Sequence, residues 1–133
     1  EFRRVLFRSR FLADIAWLKG EEAALNDQAK QLFARAREPG VSSEALRPAA
    51  AVLVQRWSGA HERLSAYQVT EPSKLADIQH NMVGFLALRK RASLELEQAL
   101  ADPSRSREHM DEYTRLMNEA NALAGQQRRT GER

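Results

Sequence analysis

Apolar residues recur along most of this chain at alternating steps of three and four, and that spacing predicts helices packed against helices. The first stripe runs Phe11, Ile15, Leu18, Leu25, Ala29, Leu32 and Ala36, with Glu22 standing where another apolar residue is due. Pro39-Gly40 ends it. The second stripe is Leu46, Ala50, Leu53, Trp57, Ala60, Leu64 and Tyr67. Ser42 and Ser43 are suitable N-caps for it. Pro48 places the helix start there, or makes 43–47 a kinked first turn. The segment VTEP at 69–72 breaks the pattern, and Ser73 caps a third helix. The third stripe is Leu75, Ile78, Met82, Phe85, Ala92, Leu96 and Ala99, with Arg89 in the remaining slot. Val83, Leu86 and Leu100 widen its apolar face. After Asp102-Pro103-Ser104 comes a fourth stripe, Met110, Tyr113, Met117, Ala120 and Ala124, flanked by Leu116 and Leu123 and closed by Gly125.

No period-two pattern competes, so the fold class is all-α, an antiparallel up-down-up-down four-helix bundle. The first three helices are expected to be roughly 25 residues and about 35–40 Å long, the fourth shorter. Residues 10–125 form the bundle, and 126–133, without apolar residues, is expected to be a disordered tail. Leu12, Trp17 and Phe33 lie off the first stripe. They either widen the core face or belong to an apolar strip awaiting a partner.

Composition changes the picture at the N-terminus. The opening EFRRVLFRS has too short an apolar run for a signal peptide and is not the Ser-rich amphipath of a transit peptide. Its nine residues can be encoded by GAG TTC AGA CGT GTG CTC TTC CGA TCT. That string resembles the end of a widely used short-read sequencing adapter. Residues 1–9 are therefore read as translated adapter and not as native sequence. On this reading the natural protein extends upstream of Arg10, and the bundle is the C-terminal soluble part of something larger. Because Val5, Leu6 and Phe7 run into Phe11 without a breaker, the first helix can still extend through them.

The charge balance follows from that reading. The formal net charge is +3 and the isoelectric point about 9.7. Residues 1–9 carry three Arg against one Glu, and the tail after Gly125 carries the same. Each contributes +2, which leaves −1 for residues 10–125. A near-neutral fold gives no support for a nucleic-acid-binding face. The cluster Arg89-Lys90-Arg91 shares its helix with Glu95 and Glu97, and Arg91 can pair with Glu95 one turn on.

Candidate chemistry is sparse. The chain has no Cys, which excludes disulfides, thiolate nucleophiles, Cys-ligated metals and C-x-x-C-H haem attachment. Neither a Walker-type nor a dinucleotide-type Gly-rich phosphate loop occurs. A di-iron bundle needs inward carboxylates and paired Glu-x-x-His motifs, which this sequence lacks. Asp77 with His80, and His109 with Glu112, are read as exposed polar pairs, and His61 as partly buried. No catalytic residue, metal site or cofactor is assigned. What stands out is the pair of charges in otherwise apolar stripes, Glu22 and Arg89, each near mid-helix and on helices that run the same way. They are expected to approach one another inside the bundle, directly or through water, as a possible internal ion pair that fixes register. The leading functional expectation is a non-enzymatic interaction, sensing or structural module with a protein partner or a second copy of the chain. The alternative is a cofactor- or metal-binding bundle with a polar site around Glu22, Arg89 and His61.

Overall fold

The structure is a computed structural model that describes residues 2–69 and 73–132, with side chains from residue 6 to residue 129 apart from 70–72. It is an all-α four-helix bundle: α1 (Phe2–Ala36), α2 (Ser43–Ser65), α3 (Lys74–Ala101) and α4 (Ser106–Glu132), with a 3-10 turn at Pro103–Arg105 leading into α4. Among the described residues there is no strand. Cross-helix pairs give the directions. Asp14 meets Arg63 and Glu21 meets Arg56, so α1 and α2 are antiparallel. Trp57 meets Phe85, and the Leu64 carbonyl meets Gln79. Asn81 meets Gln127, and Glu95 meets His109. The chain therefore goes up, down, up and down.

The termini of the helices follow local chemistry. Ser42 and Ser73, both extended, accept the amide hydrogens of Ala45 and Ala76 at 3.2 and 3.1 Å, which satisfies donors that a helix start leaves free. Of the two starts allowed for α2, the earlier holds. The Ser42 cap sets the helix in motion at Ser43, and Pro48 lies inside it, solvent-exposed, at the loss of one backbone bond to the Glu44 carbonyl. α1 stops through tight bonds from the Arg37 and Glu38 amides, and Gly40 then takes φ +82°, a conformation that a side chain would strain. At the C-terminus of α2 the Gln79 amide reaches across from α3 to donate to the Leu64 carbonyl at 2.9 Å and to that of Tyr67, supplying partners that the helix end lacks. Val69 lies in that irregular connection, while residues 70–72 of the expected VTEP break lie outside the described residues.

The core occupies the predicted stripes. On α1, Phe11, Leu18, Leu25 and Leu32 are fully buried at intervals of seven, while Ile15 and Ala29 are half-buried and Ala36 is exposed. On α2 the buried set is Leu46, Ala50, Leu53, Trp57, Ala60 and Leu64. On α3 it begins at Phe85 and takes in Leu86, Ala92, Leu96 and Ala99, whereas Leu75, Ile78 and Met82 are half-buried. α4 is rotated from the expected face. Leu116 and Ala120 are buried and Met117 is not. On the same edge α3 and α4 approach closely at Gly84, where a β-carbon would stand 3.2 Å from Leu123. Trp17 and Phe33 pack on the core edge, while Leu12 remains 47% exposed, so the off-stripe residues do not form one apolar strip.

Two boundaries differ from expectation. α1 has 35 residues because the helix runs back through the segment read as adapter, and Phe7 stacks on Phe11 at 6.1 Å and edges onto Tyr67. α4, at 27 residues, is longer than α2. It does not stop at Gly125, and residues 126–132, expected as a tail, continue the helix. A single Gly costs a helix about 1 kcal/mol, and the Gln-Gln-Arg-Arg that follows favours helix, with Gln127 bonded to Asn81 at 3.0 Å. Arg133 lies outside the described residues.

Candidate functional site

Arg89 is the charged residue that the fold draws into the interior; it is 5% exposed. α3 sets it one turn after Phe85, so the side chain rises through the apolar layer between α2 and α1. Its guanidinium carbon lies 4.4 Å from the centre of the Trp57 ring and 6.0 Å from that of Phe85. The two rings meet edge to face at 6.3 Å, which holds them as a corner around the cation. Nη2 donates to Asn26 Oδ1 at 2.7 Å, and Nε, fully buried, has no hydrogen-bond partner. Ser93, the other buried polar residue, donates back to the Arg89 carbonyl at 3.0 Å. Burial pushes the guanidinium pKa down, while nearby Tyr113 and Glu22 hold it up. Arginine remains charged at neutral pH regardless.

The expected partner of Arg89 sits one helical turn away from this bond. Glu22 is half-buried on α1, four residues before Asn26, and its charge is felt by Arg89. Among the described residues the ion pairs within 4 Å do not include one between Glu22 and Arg89. Asn26, which sequence reasoning passed over, takes the direct bond. It is a short amide on the α1 face turned toward α3, where the parallel register brings the two levels together.

A groove opens beside this layer, between α1 and the α3–α4 pair, with a volume of about 280 Å³. Its position follows from the packing. α2–α3 and α3–α4 are the extensive seams, and no comparable approach of backbones joins α1 to α4. Leu18, Met82, Phe85 and Leu123 supply apolar lining, and Lys19, Glu22 and Arg128 supply charge.

The α1–α2 edge carries a ladder that was also missed. Arg63 donates from Nε to Asp14 at 2.8 Å and lies 4.0 Å over the Trp17 ring. Tyr67 donates to the same carboxylate, and Arg56 pairs with Glu21. A signal existed: Asp14 and Glu21 are seven apart on α1, and Arg56 and Arg63 are seven apart on α2, the spacing of charges that flank an apolar seam. Burial and the bond to Asp14 raise the Tyr67 phenol above its ordinary value.

The histidines do not converge. His61 is half-buried on α2 and His80 is exposed on α3. His109 meets Glu95 of α3, Nδ1 to Oε2, at 2.7 Å, so Glu95 serves His109 across the helix pair instead of Arg91 on its own helix. Glu112, offered as the partner of His109, is bound by Arg115, which also reaches Glu119 at 2.9 Å. Among the described residues no three His, Asp or Glu are grouped to hold a metal ion, and no helix is long and apolar enough to cross a membrane. Compared with known proteins, the chain matches no family model, no curated protein and no solved structure.

Proposed function

We propose that this chain is a non-enzymatic helical-bundle module, serving interaction, sensing or structure. The observation that carries the reading is how the interior is occupied. The apolar stripes are consumed by one core, and the buried polar side chains within it, Arg89 and Ser93, bond to the bundle itself. Bundles that run chemistry project several ionisable or metal-ligating groups inward from facing helices. The helices join through heptad-type seams, with the charged ladder of Asp14, Glu21, Arg56 and Arg63 guarding one of them. Arg89 works as a register pin, held by Asn26 and the face of Trp57, with Glu22 as its more distant counter-charge.

The competing reading is a prosthetic-group or metal bundle, and it is separable in one preparation. The chain, expressed and purified without chelators, is examined for metals by mass spectrometry of the digested sample and for chromophores by visible absorbance. The module reading expects polypeptide alone. A stoichiometric metal ion or coloured cofactor would overturn it in favour of a cofactor site.

A further inference from the structure

We propose that the groove between α1 and the α3–α4 pair binds a small amphiphilic anion, a carboxylate carried on an aliphatic body. Size narrows the occupant first. α1 lines the groove from Leu18 to Glu22 and α4 from Leu123 to Arg128. At 1.5 Å per residue these walls are about 6 and 7.5 Å long. A docked helix reads out anchors from i to i+7, over about 10 Å, and finds no such length here. The volume of about 280 Å³ lies at the lower edge of small-molecule sites.

Polarity narrows it next. The apolar side chains of Leu18, Met82, Phe85 and Leu123 offer an aliphatic body a surface that water wets poorly. The bond from Asn81 to Gln127 fixes the α3–α4 wall behind it.

Charge selects the head group. Lys19 and Arg128, at the rim, have no ion pair among the described residues. Against these stands one carboxylate, Glu22. This excess favours an anion at the rim. The opening at the other face of the same end, between Phe7 and Tyr67, carries no such inference, because Leu6 and Phe7 belong to the segment read as translated adapter.

This inference goes beyond the module reading and does not depend on it, since the bundle can be non-enzymatic whether or not the groove fills. The test is a nitrogen-15 amide-shift titration of the full chain with decanoate and, separately, decyltrimethylammonium, both below micelle formation. Decanoate is expected to give saturable shifts confined to residues 18–22, 81–85 and 123–128, and the cationic amphiphile to bind more weakly. Lys19→Ala with Arg128→Ala, both exposed in the parent, should weaken decanoate about fivefold, and Glu22→Gln should strengthen it about twofold. Circular dichroism of each variant establishes that the bundle is retained. Shifts that do not saturate, shifts scattered over the surface, equal binding of both head groups, or weaker binding in Glu22→Gln would each overturn the proposal.

Discussion

Replacing Arg89 by Met should leave the bundle about as stable as before, although Arg89 is buried and hydrogen-bonded. The substitution keeps an unbranched stem of similar reach in the corner formed by Trp57 and Phe85. It forfeits the charged bond to Asn26, worth about 1.5–3 kcal/mol, and the stacking of cation on indole, worth about 0.5–2 kcal/mol. It removes a fully buried Nε without a partner, which costs the parent about 1–3 kcal/mol. That cost is part of the desolvation of the whole guanidinium, a penalty of several kcal/mol in a dry interior, which the substitution removes. The opposing terms are of equal size, so the net change should stay within about 1 kcal/mol of zero. Asn26→Ala is the contrasting perturbation. It withdraws the acceptor and leaves the cation in place, and should cost about 2 kcal/mol or more. At about 3–5 °C per kcal/mol for a domain of this size, the two variants separate clearly in Tm. Urea unfolding followed by far-ultraviolet circular dichroism, on both single variants and the double variant, closes the cycle. The coupling between positions 26 and 89 should be about 1.5 kcal/mol, because Asn26→Ala becomes nearly silent once Arg89 is gone. If Arg89→Met destabilises more than Asn26→Ala, or the coupling vanishes, then the arginine stabilises the core outright and the reasoning fails.

Gly20 and Gly59 are exposed, helical and have nothing within 4 Å of a β-carbon, so Gly20→Ala and Gly59→Ala should each stabilise by about 0.5–1 kcal/mol and add together, as read by thermal melting. Gly84→Ala should match neither of them, because Leu123 must yield there and most of the gain disappears. Burial raises the Tyr113 phenol above its ordinary value of 10.0, with Arg89 pulling the other way. Because the folded value is the higher one, its contribution is constant below pH 10.0 and is lost as pH rises through the folded value. Stability measured up that range should fall less steeply in Tyr113→Phe than in the parent. Deleting residues 1–9 should preserve the helical spectrum and cooperative unfolding. The expected loss is about 1–2 kcal/mol, the packing of half-buried Phe7 on Phe11 and Tyr67. Unfolding of the shortened chain would refute the reading of that segment as dispensable.

The stripes carried the fold because core burial is a property of spacing, and spacing is written in the sequence. Leu18, Leu53 and Leu96 could be placed inside from their intervals alone. Helix ends depended on where capping chemistry was local: Ser42 and Ser73 were legible, whereas Gln79, which caps α2 from another helix, was not. The facing of α4 toward Leu116 and the close approach of Gly84 to Leu123 depend on how α3 and α4 meet, which no pattern within either helix announces. For Arg89 the mid-height position was legible, because an interrupted stripe marks it. Its choice of Asn26 was not, since that depends on the relative axial shift of α1 and α3. The ladder from Asp14 to Arg63 was present as two matched sevenfold spacings, but charges beside a seam look like any solvated face until the neighbouring helix is known.

Residue-resolved native-state hydrogen exchange tests the central claim, that four stripes are spent on a single core around one pinned arginine. The account predicts that the slowest amides at the centres of α1, α2 and α3, around Leu25, Trp57 and Arg89, share one opening free energy equal to that of global unfolding. If α1 opens at a free energy well below that of α2 and α3, the stripes do not form one core and the account is contradicted.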